Sequence, residues 1–329
     1  MRRRALLLGG LVLGAGAGLL RAPALAQPGG DWPNQPIRLV VPFPPGAAND
    51  NLGRAIADQL SPRLKQPVVV ENRAGAGGSV GSELVAHATP DGYTLLLGHI
   101  GTLAVNPAIY PRLPYDPVRD FAPVAMIASL PNVVVVNPKQ PFGDVQALVA
   151  YARANPGKLR YCSAGNGSAG HIAMLAFLQA TDTKMEHVPY RGLAQGMNDL
   201  VAGYVDLTLG GAPTVMPLVR DGLLRALAVT SANRVASLPE LPTVAETVAP
   251  GFDVQPWYGI AAPRNTPAPI VERLNREINE VLRSPAVINR LEQEGAHPDP
   301  MTPDAFGSFI RTEVPRWGKL IRDAGVTAD

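Results

Sequence analysis

Two short glycine-bearing runs in this chain have spacings that could do chemistry. Gly77-Gly78-Ser79-Val80-Gly81 fits G-x-S-x-G, the turn that lifts a nucleophilic serine above the sheet of an α/β-hydrolase. That chemistry needs a strand turning sharply at the serine itself. Here the strand-like run ends near Glu71, and Arg73 to Gly77 intervenes as a glycine-rich loop. Ser79 then reads as the N-cap of the next helix. The histidines considered as partners, His171, His187 and His297, have no marked context. Gly165-Asn166-Gly167-Ser168-Ala169-Gly170 fits G-x-G-x-x-G between a strand and a helix, the placement of a dinucleotide site. Glu186 is spaced like the ribose-binding acid but precedes the strand that such an acid should end. The loop reads better as an anion cradle, with Asn166 and Ser168 as short polar donors at a helix start. Cys162 stands alone, so it offers neither a disulfide nor a CxxC motif, and it reads as a small core residue.

A third run carries no nucleophile and is the most informative. Ile37 to Val41 reads as a buried strand, Pro42 to Gly46 as a rigid turn, and Asn49-Asp50 as the capped start of a helix with apolar Leu52, Ala55, Ile56 and Leu60. A strand that ends at a helix N-terminus presents free amide groups and favours an anion. Tyr190-Arg191-Gly192 and Gly210 to Thr214, with Thr214 as a cap candidate, are further strand-end turns of the same kind. Four such turns read as the walls of one cleft, built to hold a ligand.

The elements that must position these turns alternate along the chain. Strands are predicted at Val68–Glu71, Thr94–Gly98, Val133–Val136, Leu159–Ser163, His187–Tyr190, Val205–Leu209, Leu224–Val229 and within Phe252–Ala261. Helices are predicted at Ser79–His87, Val145–Ala154, Ser168–Gln179 and Leu193–Ala202, followed by helical blocks with apolar faces at Ile270–Val281 and Phe306–Ile321. Apolar runs without alternation, joined by helices, predict parallel sheets covered on both faces. The pattern runs through one α/β unit, restarts, and returns. The fold class is therefore α/β and bilobal, with crossings near Ala128–Asn132 and Gly251–Trp257. Residues 27–130 and 252–329 form one lobe, 131–251 the other, and a central cleft lies at the strand ends.

Met1 to Ala26 has the makeup of a secretory signal peptide: Arg2-Arg3-Arg4, an apolar run to Leu20, and Ala24-Leu25-Ala26. The apolar run is too short and too rich in Gly and Ala for a membrane span, which needs about 20 strongly apolar residues. Both Sec and twin-arginine export fit the leader. The formal charge of +2 includes Arg2, Arg3, Arg4 and Arg21, so the mature chain stands at −2. With no basic cluster interleaved with aromatics, nucleic-acid binding has no electrostatic footprint. The expectation is a periplasmic, monomeric, cofactor-free and metal-free protein.

The landmarks Pro36 to Gly46, Val70 to Gly78, Pro90 to Leu96, Asn155 to Leu159, His187 to Gly192, Arg225 to Thr230 and Leu241 to Glu246 together resemble the Bug family. These are the periplasmic substrate-binding proteins of tripartite tricarboxylate transporters, and the resemblance covers nearly all of the mature sequence. It implies a bilobal, periplasmic-binding-protein-like fold and a non-catalytic protein that closes on a small organic carboxylate and delivers it to membrane permease subunits. It also implies the ligand contacts: Phe43, Gly46, Ala47, Ala48 and Asn49 in the first loop; Ile100 and Thr102; Ala164, Asn166 and Ser168; and Tyr190 with Gly211, Ala212 and Thr214 opposite. One departure is the run Ala47-Ala48-Asn49, where the family usually has a second glycine and often threonine. The competing readings are an exported α/β hydrolase reacting through Ser79 or Cys162, and a ligand sensor that docks onto a signalling partner.

Overall fold

The computed structural model describes residues 32–326 except 47, 191 and 294, so the leader expected at 1–26 lies outside the described residues. The chain opens with strand β1 (Ile37–Val41), helix α1 (Ala48–Leu64), β2 (Val68–Asn72), α2 (Ser79–Ala86) and β3 (Thr94–His99). A π-type turn over Gly101–Val105, α3 (Asn106–Ile109) and β4 (Phe121–Ser129) follow. The middle part contains β5 (Asn132–Val136), α4 (Val145–Ala154), β6 (Arg160–Ser163), α5 (Ala169–Thr181), β7 (Glu186–Pro189), α6 (Leu193–Ala202), β8 (Leu207–Gly211), α7 (Ala212–Arg220), β9 (Arg225–Val229) and α8 (Val244–Thr247). The chain then returns through β10 (Trp257–Pro263), α9 (Ala268–Val281), α10 (Pro285–Gln293), β11 (His297–Pro298) and α11 (Pro303–Asp323).

These strands make two sheets, in the orders β11-β4-β10-β3-β1-β2 and β7-β6-β8-β5-β9. The fold is thus bilobal α/β, but the sheets are mixed rather than parallel. β1 runs parallel to β2 and β3, whereas β10 is antiparallel to β3 and β4. In the second sheet β6 runs parallel to β7 and β8, and β5 is antiparallel to β8 and β9. β5 and β10 are the first strands after each passage between the sheets, so each enters its sheet from the opposite end. The two passages run side by side, tied by Leu130 N–H to Pro256 O at 2.8 Å and Val254 N–H to Thr230 O at 2.9 Å.

Side-chain alternation along β1 divides the core. Ile37, Leu39 and Val41 pack with Leu52, Ile56 and Leu60 of α1 and with Leu274 and Ile278 of α9. Val40 faces the other way, into a cluster that includes Phe306, Ile310, Trp317 and Ile321 of α11 and continues to Ile172 and Phe177 of the second lobe. The tryptophans do more than pack. Trp257 and Trp317 both donate their indole N–H to one Glu313 oxygen, at 3.1 and 2.6 Å, and that carboxylate is buried. Buried Trp N–H groups need a partner, and the paired Arg316 lies 2.9 Å from the other Glu313 oxygen.

The expected caps are relocated. Asn49 lies inside the first turn of α1, and it is Asp50 that accepts the Gly46 N–H, at 2.9 Å, together with the Asn72 amide at 3.0 Å. Arg54, in salt bridge with Asp50, helps hold that carboxyl below the ordinary carboxylate range against the effect of burial. At α2 the cap position is Gly78, in the left-handed region at φ 87°, and Ser79 is already helical. Thr214 sits in the first turn of α7, with Gly211 at the cap position.

Candidate functional site

The carboxyl ends of β1, β3 and β6 converge on a cavity of about 420 Å³, the place where open α/β sheets take ligands. From the first lobe come Phe43 beyond β1, Gly77 before α2, His99, Ile100 and Gly101 at the end of β3, and Asn106, Ile109 and Tyr110 around α3. From the second come Ala164, Asn166 and Gly167 of the loop after β6, and Ser168, Ala169 and Ile172 at the start of α5. The walls meet at Gly167, where an added Cβ would lie 2.5 Å from Ile109 Cδ1 and where φ is +72°. Only glycine fits both conditions without strain.

Each wall is braced from behind. In the second lobe, Ser168 caps α5, accepting the His171 N–H at 3.4 Å. The His171 Nδ1 in turn accepts the Gly167 N–H at 3.1 Å. The buried His171 ring stacks on His187 at 4.0 Å and 8°, and His187 Nε2 lies 2.7 Å from the Ser163 hydroxyl. Burial, with the His187 charge as a lesser cause, pushes His171 down to about 4. Burial also lowers His187. Both rings are therefore neutral at pH 7, and the loop rests on uncharged imidazole. Gly170 lets α5 approach the sheet, since a Cβ there would come 2.6 Å from Leu209 O.

In the first lobe, the Thr102 hydroxyl is used up by its own turn. It lies 3.0 Å from His99 N, whose N–H it accepts, and 3.2 Å from His99 O, to which it donates. The Thr102 N–H donates to His99 Nδ1 at 3.1 Å. Phe43 stands against the same ring, with centroids 4.5 Å apart. Burial pushes His99 down to about 4. The Asn106 amide donates to Gly77 O, the Ser79 hydroxyl and the Tyr115 hydroxyl, at 3.1, 3.2 and 3.3 Å. Ser79 is thereby a buried acceptor in a structural network. Cys162 is buried, and desolvation raises its thiol to about 11.

Of the residues expected at the site, Phe43, Ile100, Ala164, Asn166 and Ser168 line this cavity. Gly46 is exposed and donates its N–H to Asp50, while Asn49 is buried with its side-chain nitrogen unpartnered among the described residues. Ala47 lies outside the described residues, as does the side chain of Ala48. The Tyr190 hydroxyl donates to Asp199 at 2.6 Å. Gly211, Ala212 and Thr214 begin α7, which meets the first lobe elsewhere: a Cβ on Gly295 would lie 2.9 Å from Pro213 Cδ. His99, Asn106, Ile109 and Tyr110 were not among the expected residues. The position of His99 at the end of a buried strand is the signal that marks it.

Residues 52–326 match the family described as the tripartite tricarboxylate transporter family receptor. The chain belongs to this family. It is 39% identical over 295 residues to Protein BugT of Bordetella pertussis, covering 89% of this chain and 90% of that one. An R. palustris structure solved with adipate has 38% identity and a TM-score of 0.78, covering 91% of this receptor and 100% of that chain. MatC from Rhodopseudomonas palustris, with bound malate, has 33% identity and a TM-score of 0.73, covering 88% of this receptor and 100% of that chain. The resemblance read from the sequence therefore holds at the level of family and fold. No helix among the receptor's described residues is long and apolar enough to cross a membrane.

Proposed function

We propose that this receptor is a periplasmic solute-binding protein that captures a small organic carboxylate between its lobes and delivers it to the permease subunits of a tripartite tricarboxylate-type transporter. The observation that carries the reading is the cavity where strand-end turns of both lobes meet the N-terminus of α5. A helix of 13 residues offers free amide donors and a positive dipole end there. The similarity to proteins solved with adipate and with malate supports an acid as ligand.

In this reading the chain is exported by residues 1–26 and works as a monomer. Its lobes, 27–130 with 252–329 and 131–251, open and close about the paired passages. Ligand contacts to both lobes favour the closed state, with Phe43, Ile100, Ala164, Asn166 and Ser168 among them. The receptor does no covalent chemistry: Ser79 is tied to Asn106, and Cys162 is a buried, protonated thiol. A thermal-shift screen of the mature chain against organic acids tests the reading. A ligand at 100 times its Kd adds about 2.7 kcal/mol of stability, which raises the melting temperature by a few degrees. If neutral sugars or amines raise it and no carboxylate does, the reading is wrong.

A further inference from the structure

We propose that His99 determines specificity in the cleft, its Nε2–H donating to the second carboxylate of a dicarboxylic acid whose first carboxylate sits at the start of α5. The inference rests on the carboxylate reading above and goes beyond it by assigning a residue and a ligand class.

The ring is locked as a donor. Because Nδ1 accepts the Thr102 N–H at 3.1 Å, the neutral imidazole must carry its proton on Nε2. Nε2 makes no hydrogen bond among the described residues, while the ring lines the cavity. Its position is over-determined. The Thr102 hydroxyl staples the His99 backbone on both sides, at 3.0 and 3.2 Å. Phe43 and Tyr258 flank the ring, at centroid distances of 4.5 and 6.0 Å. Gly101 leaves room for it, since a Cβ there would collide with the ring's Cε1.

The chemistry of the walls gives this donor its weight. Among the described residues that line the cavity there is no Lys or Arg, so these walls meet a second carboxylate with neutral donors. A buried anion without such partners is strongly disfavoured. The amide end of α5 belongs to the second lobe and His99 to the first, so a two-headed acid bridges the lobes. Burial keeps the ring neutral through the physiological range, and the donor stays in place without adding a titrating charge.

The test compares dicarboxylates with monocarboxylates of equal length, adipate against hexanoate and succinate against butyrate, by calorimetric titration at pH 7.5. The proteins are the wild type, His99→Phe and His99→Gln. The expected result is a preference for the diacid that falls about tenfold or more in His99→Phe, chiefly through loss of diacid affinity, and is substantially kept in His99→Gln, whose side-chain amide can donate. Circular dichroism and urea denaturation report that each variant is folded. If carboxylates bind but the diacid preference is absent, or is the same in all three proteins, the role of His99 is overturned and the carboxylate reading stands. If none of these nor any other organic acid binds the wild type, the carboxylate reading itself fails, and the His99 proposal with it.

Discussion

Acid should unfold this receptor early, and His171 should account for a measurable part of the loss. Its ordinary value is 6.5 and burial in the folded protein takes it to about 4. Above pH 6.5 the ring is neutral in both states and contributes no pH dependence. Between 6.5 and 4 the unfolded chain binds a proton that the folded chain refuses, so stability falls as pH falls. At about 1.4 kcal/mol per pH unit, the loss approaches roughly 3 kcal/mol at pH 4. His171→Phe keeps the stack on His187 but removes both the proton site and the acceptor of the Gly167 N–H. At pH 7.5 the variant should be less stable by about 1 kcal/mol, the net worth of this half-buried hydrogen bond. Urea melts at pH 7.5, 6.5, 5.5 and 4.5 should then show the difference moving in the variant's favour by up to about 2.5 kcal/mol across the range. His99 contributes its own acid loss to both proteins and cancels in the difference. Parallel stability curves for the two proteins would refute the assignment.

Gly167→Ala should destabilise by about 1–3 kcal/mol, because a side chain is forced to a positive φ and onto Ile109. Urea denaturation of this variant, of Ile109→Val, which removes the obstructing Cδ1 methyl but not the backbone strain, and of the pair should show the pair less destabilised than the sum of the two. Glu313→Gln keeps the shape but replaces a charged acceptor of two indole N–H groups, and its expected cost is about 1–3 kcal/mol in the same assay. Tryptophan emission should shift with it, since both indoles lose their charged partner. Cys162 should resist an aromatic disulfide reagent in the native protein at pH 8 and react fully in denaturant, because the thiol is buried and raised to about 11. Rapid stoichiometric labelling of the native chain would contradict its burial.

The bilobal plan was legible because buried strands and amphipathic helices alternate twice, and because the strand-to-helix turns are rich in Gly, Pro and small polar residues. Strand direction was not. Val133 to Val136 of β5 and Ile260 to Ala262 of β10 are as continuously apolar as parallel strands, since both faces of their sheets are covered. Composition reports burial, while direction follows from the side through which the chain enters. β4 escaped notice because Phe121-Ala122-Pro123 opens it with small residues and a proline, and β11 is only two residues long. At the site, Asn166 and Ser168 were legible from the glycine-rich loop at a strand end, whereas Ile100 and Ala164 came only from the family resemblance. Asn106 opens the short helix α3 and Tyr110 follows it, where no strand-end rule marks either. Thr102 and His99 show the deeper limit. A small hydroxyl at a strand end can hold a ligand or knit its own turn, and the same residue type serves both. Here Thr102 knits the turn. Its backbone N–H then fixes the tautomer of His99, so the hydroxyl that reads as a ligand contact acts one step back, on the ring that faces the cleft.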